Sequence, residues 1–356
     1  MGLLGAGGGR AEQIEPQSAT LEDLLRVQSP EYVAVVMDES PTLAQDDLHG
    51  LGAGDTPRFA RMHEVASLVA GATCRALDGV LDSAWATAFS PAGGLHHAHR
   101  DRAAGFCVYN DCAIAIARAT ALRPGLRVAY VDIDAHHGDG VEEAFSARGD
   151  VLTLSVHESG RYLYPGTGVA REIGTGLGVG ATVNVPLPPH AGPAEYELVF
   201  DGIVEPALAA FAPDVIVAQL GADSHRDDPL THLAMTVRGH ASLVARLVAT
   251  ADRVCGGRIV AAGGGGYEVF SATPRMWASA MALLLGRDVP EELPSAWIER
   301  AEAAALAAGF PQPLARRTFD EHPERPADVP AEETHRLTEL VIAEVRAVSP
   351  LLGAAR

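Results

Sequence analysis

Residues 127–139 read Arg-Val-Ala-Tyr-Val-Asp-Ile-Asp-Ala-His-His-Gly-Asp, and they constrain the fold more than any other stretch. The first half, 128–133, is a β-branched and aromatic run of the kind that forms a strand buried on both faces. The second half turns abruptly polar, with Asp132, Asp134, His136, His137 and Asp139 inside eight residues. Residues two apart on a strand share a face, so Asp132, Asp134 and His136 can point to one side. Carboxylates and an imidazole converging at the end of a buried strand are costly unless a charge pairs them. A divalent metal does that most simply. At this point a helix N-terminus capped by aspartate, with two surface histidines, remains the alternative.

The flanking sequence repeats the strand pattern at 85–89, 151–157, 214–220 and 258–262. Helical spacing lies between these runs and predicts helices over 55–82, 106–122, 195–211, 237–254 and 274–285. Residues 18–27 read as a turn and short helix. The Gly/Pro/Tyr-rich segment 159–192 reads as an irregular excursion whose aromatics wall a pocket. From Arg287 the composition shifts to Pro, Ala and Glu, which suits surface helices and loops with a final helix over 333–348. Strands alternating with helices predict a parallel sheet covered on both faces. Ligands in such sheets bind beyond the carboxyl ends of the strands. Those ends supply Asp132, Asp134 and His136, then His157, Asp223 and Tyr267, and this convergence favours the metal site.

A chain of 356 residues, 47% hydrophobic and 21% charged, can bury the core of one large α/β domain or two smaller ones. A formal net charge of −19 argues against nucleic acid or anionic membrane as partner and suits a cationic substrate, such as a lysine side chain or a polyamine. Cys74, Cys107, Cys112 and Cys255 form no C-x-x-C pair and sit in apolar segments, so a reducing compartment is expected. There is no apolar run long enough to span a bilayer, and residues 1–10 lack the basic and apolar regions of a signal peptide. A cytoplasmic location is the expectation.

Asp134, His136 and Asp223 offer three protein ligands and leave a position open for water or substrate. The oxygen-rich set suits zinc and also accepts iron(II). Such an ion makes bound water more nucleophilic and polarises a carbonyl. The Pro- and Gly-containing loop 90–99 brings His96 or His97 as the base. Each needs a carboxylate on its far nitrogen, and Asp132 and Asp139 are available. Tyr267, after four glycines, can donate its hydroxyl to an oxyanion. No Lys-Ser/Thr follows Gly266, which excludes a phosphate-binding loop. These parts describe hydrolysis of an amide.

Six ordered motifs carry a resemblance to the histone deacetylase superfamily over roughly residues 18–285. They are Gly94-Leu-His-His-Ala-His99, residues 102–111, residues 132–141, Tyr164-Pro-Gly-Thr-Gly168, residues 219–223 and residues 263–267. The bacterial acetoin-utilisation-type deacetylases are the branch they look most like. The resemblance implies the arginase–deacetylase α/β fold, with a mostly parallel central sheet flanked by helices on both faces. It implies a single domain over 1–356, with 287–356 as C-terminal helices and loops, and zinc-dependent removal of acetyl from an amine. Matched by motif, Asp134, His136 and Asp223 are the implied metal ligands. His97 is the implied general base and acid, oriented by Asp139, and His96 its electrostatic partner, backed by Asp132. Tyr267 matches the group that polarises the acetyl carbonyl. Gly105, Phe106, Tyr164 and Gly265 match the walls of the acyl-lysine channel. A structural potassium ion is implied at Asp132, Asp134, His136, Ser155 and Val156, with a second near Phe145, Arg148 and Val151.

Family members begin with a strand and a His-Pro-rich segment, whereas Met1 here falls near the end of their first helix. The expectation is therefore a late start codon or a sheet that lacks its N-terminal edge strand. An arginase-like binuclear manganese hydrolase is rejected, because Gly138 and His225 stand where carboxylates would be needed. Acetylated protein is the expected substrate and an acetylated small amine, as for an acetylpolyamine amidohydrolase, the alternative. A non-catalytic acetyl-lysine-binding module is the second alternative, against which Tyr267, His96 and His97 argue.

Overall fold

The computed structural model describes residues 11–38, 47–52, 54–310, 314–319 and 331–353. Six strands form one sheet: β1 (Thr87–Ser90), β2 (Val128–Asp132), β3 (Val151–Glu158), β4 (Thr182–Leu187), β5 (Val215–Gln219) and β6 (Ile259–Ala262). Their spatial order is β1-β6-β5-β2-β3-β4 and every pairing is parallel. This is the sheet the alternating pattern predicts, with β2 at its interior.

Period-two alternation decides which core each strand residue joins. Ala129 and Val131 of β2, Ile216 and Ala218 of β5, and Ile259 and Ala261 of β6 all face one core. Val128, Tyr130, Val215, Val217, Val260 and Ala262 face the other. The first core is closed by helices Pro193–Val199, Glu205–Phe211, Val237–Cys255 and Ala272–Leu284 through Val199, Leu208, Leu243, Leu247 and Met276. The second is closed by Pro30–Met37, Met62–Leu81 and Asp111–Leu122 through Val33, Leu77, Ile114 and Ile116. Each such aliphatic side chain stabilises the fold by about 1.5–3 kcal/mol on burial. Two covered faces explain why the strands read as near-continuous apolar runs.

Several local expectations are corrected, and one helix is added; the helix expected over 55–82 begins at Met62. Within 159–192 lies β4, paired with β3 at the sheet edge. Its Pro186 lacks a ladder N–H, which an edge strand tolerates, and this disguised it as loop. The helix expected over 195–211 is divided by a π turn, Phe200–Val204, just before Pro206. Proline cannot close the ordinary bond, and the widened turn absorbs it. The helix expected from 106 starts at Asp111, capped by the Asn110 side chain accepting from the Ala113 amide at 3.0 Å. Helix Pro30–Met37, capped by Ser29, had no counterpart in the sequence reading.

Before β1 the described residues form helices and loops, with no strand. In the tail, Val345 and Leu352 join the first core, so helix Ala331–Val348 packs onto the sheet side rather than lying wholly on the surface. No helix among the described residues is long and apolar enough to cross a membrane.

The register sets up the site. Ser90, Ala262, Gln219, Asp132 and Ser155 lie side by side across β1, β6, β5, β2 and β3. The segments that follow β1, β2, β5 and β6 therefore leave the sheet at one end.

Candidate active site

Asp134 and His136 follow β2, and Asp223 follows β5. Their ligand atoms all lie within 4.8 Å of one another, and all three residues are buried. His136 Nδ1 is 3.2 Å from Asp134 Oδ1 and 2.8 Å from Asp223 Oδ2. The outward-facing atoms are held by the protein. Asp134 Oδ2 accepts from Gln219 Nε2 and from the Gly265 amide, each at 2.8 Å. Asp223 Oδ1 accepts from the Ala135 amide at 2.8 Å. A Cβ on residue 265 would strike the Asp223 carboxylate, which is why the backbone there is glycine.

Asp132, Asp134 and Asp223 are fully buried, and among the described residues their ion-pair partners are imidazoles. Burial, then the Asp134 charge, pushes the Asp223 carboxyl above the usual carboxylate range. The two carboxylates thus compete for one local positive charge. A divalent cation resolves that competition, and two oxygens with one imidazole nitrogen is a donor set zinc or iron(II) accepts.

The loop after β1 brings in two more imidazoles. His96 Nδ1 donates to Asp132 Oδ2 at 2.8 Å, an oxygen that also accepts from the Tyr130 hydroxyl at 2.6 Å. His97 Nδ1 donates to Asp139 Oδ1 at 2.7 Å, and the two Nε2 atoms are 3.0 Å apart. Burial works against the charged form of His96, but the carboxylates of Asp132 and Asp134 outweigh it and raise His96 to about 9. Burial, reinforced by the neighbouring His96 charge, lowers His97 to about 4. The pair therefore holds one proton more than neutrality, on His96, and His97 stays neutral. Its loop is fixed by Asp111, which accepts from the Gly94 and Leu95 amides at 3.0 and 2.8 Å, and by Asn110, which donates to the His96 carbonyl at 3.0 Å.

Aromatic rings surround the opening. The Tyr164 ring lies 5.1 Å from His97 and 6.5 Å from His136. Phe106, about half exposed, meets Tyr267 edge-on at 5.7 Å. Tyr267 is placed by its own amide donating to Asp228 Oδ2 at 2.8 Å. Burial and then the Asp223 charge push its phenol upward, so it keeps its proton. Gly105 has φ +51°, and a Cβ there would enter the His97 ring.

Residues 3–284 match the family model described as the histone deacetylase domain. The chain belongs to the histone deacetylase family. Curated relatives of this deacetylase include the acetoin utilization protein AcuC of Bacillus subtilis (strain 168), 42% identical over 288 residues that cover 80% of this chain and 74% of that protein. The acetoin utilization protein AcuC of Staphylococcus aureus (strain MSSA476) is 35% identical over 291 residues, 81% of this chain and 75% of that one. Among solved structures, the crystal structure of an HDAC homolog from Aquifex aeolicus superposes with a TM-score of 0.79 at 28% identity, covering 94% of this chain and 88% of that one. An HDAC homolog complexed with SAHA gives 0.78 at 29% identity, over 92% and 88% of the two chains. The chain is thus an AcuC-like deacetylase-family hydrolase with the arginase–deacetylase fold.

Not every group named from the sequence sits at the centre of this deacetylase site. His157 is turned away: its ring bonds Ser155 Oγ at 2.8 Å and the Gly168 carbonyl at 2.9 Å, supporting the 164–168 loop. His137 does the same work through Thr167 Oγ1 at 2.9 Å and Glu142 at 3.0 Å. Asp132 and Ser155 are paired across β2 and β3, and Val156 follows in β3. Phe145, Arg148 and Val151 lie at the far, N-terminal end of β3, where the Arg148 amide donates to the Phe145 carbonyl at 2.8 Å.

Sequence reasoning missed several contributors. Asn110, Asp111 and Gln219 stood inside quoted motifs without a role, and that was a usable signal. Asp55 had none: a lone exposed aspartate in a Gly-rich turn, it accepts from the Gly105 amide at 3.1 Å. His99, also unassigned, lies with Nε2 3.2 Å from the second oxygen of Asp139 and Nδ1 bonded to Glu143.

Proposed function

We propose that the chain is a metal-dependent amide hydrolase that removes acetyl from an amine, with acetyl-lysine of proteins as the main substrate class. Asp134, His136 and Asp223 would hold zinc or iron(II), which supplies Lewis acidity toward the acyl oxygen and toward water. The chain's own groups supply the rest. His97, neutral and aimed through Nδ1 at Asp139, offers Nε2 to take a proton from water and pass it to the leaving amine. The two Nε2 atoms lie 3.0 Å apart, so a water resting over the pair would accept from His96 and donate to His97. His96 keeps its positive charge near the developing anion. The Tyr267 hydroxyl, protonated throughout, donates to the oxyanion. Phe106 and Tyr164 flank an aliphatic stem and shed its water, with Gly105 and Gly265 leaving room. A potassium ion near Asp132, Asp134, His136, Ser155 and Val156 would balance the remaining carboxylate charge.

One observation carries this reading: a buried Asp-His-Asp cluster beside two imidazoles, each oriented by its own carboxylate. The net charge of −19 and Asp55, which bonds the Gly105 wall, favour a second substrate class, acetylated polyamines. The four cysteines are free and buried, which supports a reducing, cytoplasmic setting. The test is acetate release by zinc-loaded protein from an acetyl-lysine peptide and from an acetylated polyamine, side by side. Turnover of the peptide with higher kcat/KM is expected. A preference for the polyamine would transfer the assignment to the second class. Binding of both without release would make the chain a recognition module.

A further inference from the structure

We propose that His99 is a positioning residue for His97, acting through the carboxylate they share. The inference rests on the deacetylase reading above, in which His97 is the base. Asp139 opens helix Asp139–Phe145, and Glu143 stands four residues on, so the two carboxylates share a helix face. His99 fits against that face. Its Nε2 is 3.2 Å from Asp139 Oδ2, and its Nδ1 bonds the Glu143 carboxylate. Asp139 Oδ1 meanwhile accepts from His97 Nδ1 at 2.7 Å and from the Gly140 amide at 3.0 Å.

An ionised carboxylate only accepts hydrogen bonds, so an imidazole between two of them must donate from both nitrogens and is a cation. His99 is set rigidly for this task. It is 7% exposed, its amide donates to the Arg102 carbonyl at 3.0 Å, and its carbonyl accepts from Gln28 Nε2. Burial opposes its charge, yet Asp139 and Glu143 overcome burial and raise it to about 9. The result is a chain of four groups, Glu143–His99–Asp139–His97. Each of the two Asp139 oxygens is claimed by a different imidazole. Without His99, Oδ2 loses its anchor and the carboxylate can swing about its terminal torsion, where barriers are low. The hydrogen bond that fixes the tautomer and the plane of His97 then loosens.

The experiment compares wild type with His99→Ala, His99→Gln and Glu143→Gln, all zinc-loaded. It measures kcat and KM on an acetyl-lysine peptide, zinc stoichiometry and the downfield proton resonance of His97 Nδ1. His99→Ala is expected to lower kcat roughly tenfold, as for other partners that orient a reacting group, with KM and zinc content unchanged. The resonance should shift or broaden. His99→Gln, whose amide can still donate to Oδ2, should restore most of kcat and the resonance. Glu143→Gln, at a partly exposed position, should lower kcat by about two- to threefold in the same pattern. Should the alanine variant fail to fold, the two glutamine variants carry the comparison. An unchanged kcat and resonance in Glu143→Gln and His99→Ala would overturn the proposal. A loss of zinc or a rise in KM without rescue by glutamine would reduce His99 to a packing role. If wild type itself releases no acetate, the deacetylase reading fails, whereas the resonance still decides whether His99 holds His97.

Discussion

In the proposed function, Tyr267 and His97 divide the work by proton affinity. Burial pushes the Tyr267 phenol up and lowers the His97 imidazole, so that the one would donate while the other accepts. Tyr267→Phe should lower kcat by roughly two to three orders of magnitude, the usual loss for one oxyanion donor, with zinc content unchanged by metal analysis. His99 has a separate thermodynamic consequence. Its pKa is raised to about 9 in the folded protein against about 6.5 for an ordinary histidine. Its contribution to stability is therefore fully present below pH ~6.5 and is lost as pH rises through ~9, by at most about 3 kcal/mol. Urea titrations should show wild type losing more stability than His99→Gln between those pH values. At this scale the legible residues were those close in sequence: Asp132 ends β2, and Asp134 and His136 lie in the bend that follows it rather than on the strand where two-residue alternation set them. His99 with Glu143 and Asp55 with Gly105 join across 44 and 50 positions of chain, where no local rule reaches.

The elements that sequence patterning found are those buried on both sides. In β2 and β5 every residue is buried, and continuous apolar runs reported them. What it missed were elements shaped by proline or by capping: β4 with its Pro186, the π turn ahead of Pro206, and Asn110 ending the loop that a helix was expected to fill. In each case a side-chain or backbone detail overrides the hydrophobic period. Ile216, fully buried in β5 on the face toward helix Val237–Cys255, tests the packing account. Ile216→Ala should cost about 2–5 kcal/mol by urea unfolding. Since it touches none of the site's hydrogen bonds, kcat/KM of the folded fraction should stay near wild type.

For the whole molecule, the cost of three buried carboxylates is spread over folding itself. Metal that binds only the folded state stabilises by mass action, about 4 kcal/mol at a thousandfold excess over Kd. A chelator should therefore abolish acetate release and lower the thermal midpoint together, and added zinc should restore both. A midpoint indifferent to chelation would mean that the Asp134–His136–Asp223 cluster takes no ion.

The sheet order has a mechanical consequence. β1, which launches the His96–His97 loop, is an outer strand with β6 as its one strand neighbour, whereas β2 and β5, which launch Asp134, His136 and Asp223, are inner strands with neighbours on both sides. Peeling from the rim costs less than opening the middle. Under gentle denaturation the imidazole pair would drift from its station before the Asp134–His136–Asp223 cluster opened, so that any ion held there would stay while turnover was lost.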